Sequence, residues 1–124
     1  MIKFNKEEIS LCKQVVERYR KPIDYGDWYW TKDKVRNNAD SKWVATGYSQ
    51  TCIPLWTISD CISWLREKGF YLSINTLGEY WTCLAYKHIF NEDNKDIGPR
   101  IFFQEKTLLS VLLKIILAVV EEVK

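Results

Sequence analysis

The 124-residue chain fits one domain, residues 1–124, and at that size closes a core without disulfides or metal. Its 47% apolar and 27% charged content excludes a disordered segment. Lys and Arg number 18 against 16 Asp and Glu, and a surplus of +2 is too slight for a duplex-binding protein.

Asn5 followed by Glu8 is the pattern of a capping box, so a helix is expected near 5–20. Ile9, Cys12, Val16 and Tyr19 recur along it at helical spacing, and Pro22 stops it. The bulky run Trp28-Tyr29-Trp30 predicts a strand. From Thr31 to Ser41 the chain is polar and reads as a hairpin tip or long loop, with Trp43 to Ala45 as the returning strand. Ile53 to Trp56 is an extended lead into a helix over 57–68, in which Ile58, Cys61, Ile62 and Leu65 share a face. Gly69 stands where a left-handed residue closes a helix.

A hairpin follows. Phe70, Leu72 and Ile74 alternate with Tyr71 and Ser73, Thr76 to Gly78 turns, and Glu79 to His88 returns. On that strand Tyr80, Leu84 and Tyr86 fall on one face, with Trp81, Cys83 and Ala85 on the other. Asn91 to Asp96 is an acidic loop before a last strand at Ile101 to Phe103. The final helix, near 107–122, holds 11 apolar residues among the 13 from Leu108 to Val120. It is too short to span a bilayer and carries Lys114 in its middle. The fold expected is α+β, with an antiparallel sheet of four to five strands sandwiched by these helices.

The phrase Leu65-Arg-Glu-Lys-Gly-Phe70, the strand Trp81-Thr-Cys83 and the Thr107-capped apolar helix resemble the phage ABA-sandwich domain, over roughly the last 70 residues. The resemblance implies helix–sheet–helix layering and a phage or prophage setting, hence the host bacterial cytoplasm. It carries over no catalytic residues.

The residues themselves supply little chemistry. Cys12, Cys52, Cys61 and Cys83 have no pair at zinc-site spacing, and the charged start Met1 to Glu8 lacks a signal-peptide core. Free thiols in a reducing compartment, with no metal, are therefore expected. His88 is the sole histidine and has no acidic residue within two positions, so it reads as an exposed strand end. Asp24 with Asp27, and Asp93 with Asp96, sit in turns where carboxylates are usually solvated. The glycines are scattered singly, which excludes a phosphate-cradling loop and its nucleotide cofactor.

Aromatics with Arg are the remaining signal. Tyr71, Trp81, Tyr86, Arg100 and Phe102 all fall on the C-terminal sheet. Such rings stack bases or form the hot spot of a protein interface. The competing view is that they fill core volume. The function expected is non-enzymatic: a phage accessory that binds a host protein or a nucleotide and so inhibits a bacterial defence system, anti-CRISPR proteins being one such class. The alternatives are a small hydrolase or nucleic-acid-processing enzyme using turn carboxylates, and a phage assembly accessory. The continuous apolar circumference of the last helix further predicts a homodimer through Leu109, Leu112, Leu113, Ile116 and Val120, with Ser110 and Lys114 facing water.

Overall fold

The computed structural model describes residues 4–19, 27–31, 34–37 and 53–122. They fall in two compact units, Met1–Thr57 and Ile58–Lys124.

In the first unit, α1 (Lys6–Val16) opens with the capping box that Asn5 and Glu8 predict. Asn5 Oδ1 accepts from the Glu8 amide at 2.7 Å, and Glu8 Oε1 accepts from the Asn5 amide at 2.8 Å. The helix stops short of residue 20. The amides of Arg18 and Tyr19 both donate to the Val15 carbonyl, which tightens the last turn. Buried Leu11, Cys12 and Val15 hold the helix body, and Tyr19 beyond it is exposed.

The three strands of this unit are β1 (Trp28–Thr31), β2 (Lys34–Asn37) and β3 (Ile53–Leu55), antiparallel in the order β2-β1-β3. β2 lies inside the stretch expected to be a loop. Its sequence Lys-Val-Arg-Asn has a single apolar residue, as suits an edge strand with one side in water. The expected return strand, 43–45, lies outside the described residues. Pro54 sits on the opposite edge strand, where its missing N–H removes no ladder bond. α1 packs on β3, and the Trp56 amide donates to Cys12 Sγ at 3.5 Å. Lys13 Nζ lies 3.8 Å from the centre of the Trp30 ring.

The second unit begins with α2 (Ile58–Glu67). Gly69, at φ 91°, ends it as expected: the Phe70 amide reaches back to the Leu65 carbonyl and the Gly69 amide to that of Arg66. The antiparallel sheet β4 (Tyr71–Leu77), β5 (Tyr80–Tyr86) and β6 (Arg100–Glu105) follows, with β5 in the centre. Leu77 pairs with Tyr80 across a two-residue turn whose first residue, Gly78, has φ 62°.

α3 (Leu108–Glu122) packs on β5 and β6, and α2 packs on α3 and β4. Thr107 caps α3, its Oγ1 accepting from the Ser110 amide at 3.1 Å. Helix-side residues Cys83 and Ala85 are wholly buried, as are Leu65, Leu112 and Ile116. Each such Leu or Ile contributes about 1.5–3 kcal/mol by leaving water.

Two expectations are corrected here. The single sheet of four to five strands is two sheets of three, because alternation marks a strand without naming its partner. The premise of a dimer through α3 also falls away at four of its five residues. Leu109, Leu112, Leu113 and Ile116 are buried within the chain, and only Val120 is half-buried. Nor do Ser110 and Lys114 form the water-facing edge expected of them. Ser110 is buried and accepts from the Thr107 hydroxyl at 2.9 Å, while Lys114 pairs with Glu105 of β6.

Candidate binding surface

Register divides the β4–β6 sheet into two faces. Leu72, Ile74, Cys83, Ala85, Ile101 and Phe103 alternate onto the helix side. The other side carries Tyr71, Tyr86 and Arg100 in one cross-strand row, and Ser73, Leu84 and Phe102 in the next. Asn75, Thr82 and Gln104 follow, then Leu77 and Tyr80. Burial marks the first side as the one on which α2 and α3 pack, Cys83 and Ala85 being wholly buried there. Tyr71 and Phe102 are each 59% exposed, and Leu77 is 62% exposed. Of the five residues expected to bind, the open face therefore gathers Tyr71, Tyr86, Arg100 and Phe102. Trp81 is also exposed, but its position on β5 puts it on the helix-side parity, where it faces Thr76 and Glu105.

The open face extends past the sheet. The β5–β6 register continues through the Lys87 amide on the Pro99 carbonyl, the Ile97 amide on Ile89 and the Asn91 amide on Lys95. Asn91 organises the tip, its Oδ1 accepting from the amides of Asp93 and Lys95, and Asn94 takes the left-handed conformation at φ 61°. Strand alternation thus brings His88 and Phe90 onto the same side as Tyr86. Tyr71 and Tyr86 stack at 5.6 Å, Tyr86 meets His88 edge-on at 5.3 Å, and His88 stacks on Phe90 at 6.3 Å.

Asp96 ties this row together. Its Oδ2 accepts from His88 Nδ1 at 2.7 Å and Arg100 Nη2 at 3.0 Å, and its Oδ1 from the amides of Gly98 at 3.0 Å and Ile89 at 3.2 Å. His88 foremost, then the Gly98 amide, hold its carboxyl well below the usual carboxylate range against a smaller opposing effect of burial. Arg100, so held, lies 5.8 Å from the Tyr86 ring. The close approach depends on Gly98. A β-carbon there would stand 1.8 Å from the Lys87 carbonyl oxygen.

His88 and Asp96 were not expected to meet. A search within two positions of His88 misses a partner eight residues on, across the hairpin. The alternating register of residues 86–100 was the usable signal. As chemistry, the pair orients an imidazole through the bond between His88 Nδ1 and Asp96 Oδ2. Asp93, which the sequence pairs with Asp96 in that turn, is exposed, and Asp24 lies outside the described residues. Cys12, Cys61 and Cys83 are buried and unbridged, and burial pushes the Cys83 thiol up to about 11. Cys52 lies outside the described residues. Among the described residues no three His, Cys, Asp or Glu side chains converge as a metal site, and no helix is long and apolar enough to cross a membrane.

Comparison with family models, with curated proteins and with solved structures finds no match for this chain.

Proposed function

We propose that the chain is a non-enzymatic binding protein whose contact surface is the open face of β4–β6, and that its target is a protein. One observation carries this reading: a sheet face turned away from α2 and α3 whose exposed side chains are aromatic, aliphatic and uncharged polar, with Arg100 its single charge inside the strands. Water-exposed Tyr and Phe beside an Arg are the residue types that dominate protein interfaces. A nucleotide or single strand asks for cations left free for phosphate. Here Asp96 already accepts from the one guanidinium on the face, which disfavours the nucleotide alternative. In the phage setting that the sequence resemblance implies, the target is a component of a bacterial defence system acting in the host cytoplasm.

The reading is tested by expressing the chain in bacterial strains that each carry one defence system and challenging them with a phage each strain restricts. Plating is restored in at least one strain. The double variant Tyr71→Glu with Phe102→Glu, both exposed, keeps its thermal transition and loses the effect. Restoration in no strain contradicts the inhibitory role, and restoration by the double variant contradicts the surface.

A further inference from the structure

The open face is bounded by an edge strand that carries neither charge nor proline. β4 reads Tyr-Leu-Ser-Ile-Asn-Thr-Leu, seven residues without Lys, Pro or any charge, and one of its sides has no strand partner among the described residues. Proteins ordinarily blunt such an edge with charges, proline or a bulge, because its free N–H and C=O groups template another strand. Beside this edge lies a groove of about 490 Å³, within the size range of ligand-binding clefts. Ile62, Phe70, Leu72 and Ile74 contribute its apolar lining, and among the described residues Arg66 is the charged one lining it. Arg66 is exposed in the last turn of α2 and pairs with no carboxylate among the described residues. A second cation stands close by, Lys87 Nζ lying 4.6 Å from the centre of the Phe70 ring.

We infer that β4 and this groove take up an extended segment of a partner protein as a fourth strand, with a carboxylate of that segment against Arg66. The free edge supplies main-chain hydrogen bonds, and the groove receives alternate side chains from one face of the added strand. Charge sets the direction. Arg66 lines the groove with Gly69, Phe70 and Tyr71 at the start of β4. A strand running antiparallel to β4 brings its C-terminal end to that point, so a C-terminal carboxylate or a terminal Asp or Glu meets the guanidinium. The inference rests on the reading of the chain as a protein binder and names the chemistry of what is bound. A second copy pairing β4 with β4 is the competing occupant. β4 itself offers no acid to set against Arg66.

The test is selection of displayed seven-residue peptides, the length of β4, with free C-termini on the full chain. Enriched peptides alternate apolar residues and end on an acid or bare carboxylate. Arg66→Glu weakens the best of them by about tenfold or more, as expected for loss of a charge-assisted bond, and shifts enrichment toward basic ends. Methylating the peptide nitrogens that face β4 abolishes binding. Peptide binding that Phe102→Glu removes and Arg66→Glu spares overturns the groove and keeps the open face. No enrichment, binding indifferent to methylation, or a dimer in solution whose β4 amides are protected from exchange also overturns it.

Discussion

Gly98→Ala is the sharpest perturbation of the candidate surface. The new β-carbon would lie 1.8 Å from the Lys87 oxygen, 2.7 Å from the Lys87 carbonyl carbon and 3.0 Å from the Ile89 nitrogen. Ordinary contact begins near 3.4 Å, so the facing backbone must retreat by about 1.6 Å. That stretches the Lys87–Pro99 and Ile97–Ile89 bonds, now 3.2 and 2.6 Å, beyond hydrogen-bond range. Two bonds at roughly 0.5–1.5 kcal/mol each, with an overpacking cost of about 1–3 kcal/mol, put the loss at about 2–6 kcal/mol. Urea unfolding followed by tryptophan fluorescence measures it. Backbone amide spectra should show shifts concentrated between Tyr86 and Arg100, with α1 unmoved. An alanine variant with an unchanged midpoint and unchanged amide shifts in that hairpin would refute the close approach.

Other consequences follow from the same geometry. Leu112→Ala should cost about 2–5 kcal/mol in chemical denaturation, because that side chain has no exposure, and Leu112→Lys should unfold the chain where it would merely split a dimer built on an exposed α3. Asp96 is held ionised in the folded state, so its contribution is present above the usual carboxylate value near 3.8 and is lost as pH falls through that value and below. Asp96→Asn should flatten the acid limb of the stability profile; an unaltered acid limb contradicts the cluster. The Cys83 thiol stays protonated to about 11 against an ordinary 9.0, so its contribution is full below about pH 9 and declines as pH rises toward 11. Cys83→Ser should remove that alkaline decline, and thiol titration with an aromatic disulfide should leave Cys83 unmodified at pH 8 until denaturant is added.

Local signals were legible in the sequence. The capping box at Asn5 and Glu8, the left-handed Gly69, the Thr107 cap and the alternation of β4 and β5 all belong to interactions spanning a few residues. What lay beyond the sequence depends on partners far along the chain. β2 is nearly all polar, and only pairing with Trp28 to Thr31 makes it a strand. The last helix shows the same limit from the other side: its apolar circumference was plain, but burial of Leu112, Leu113 and Ile116 within the chain was not. The five candidate residues named from composition fall on β4, β5 and β6. Strand parity then separates Trp81 from Tyr71, Tyr86, Arg100 and Phe102, a distinction contained in the alternation itself. His88 and Asp96 went unread because turn carboxylates are usually solvated, and this one collects four donors through a hairpin register set by Asn91, Asn94 and Gly98.

The account stands on the open sheet face being a surface that a protein partner occupies. The most direct measurement places a photocrosslinking amino acid at position 102 and, as a control, at position 58, where Ile58 is exposed at the start of α2. Both variants are irradiated in living bacterial cells carrying a defence system against which the chain restores phage plating in the test proposed above. The account predicts one discrete heavier adduct from position 102, absent from position 58 and competed away by the unmodified chain. No adduct at 102, or the same adducts from both positions, would contradict it.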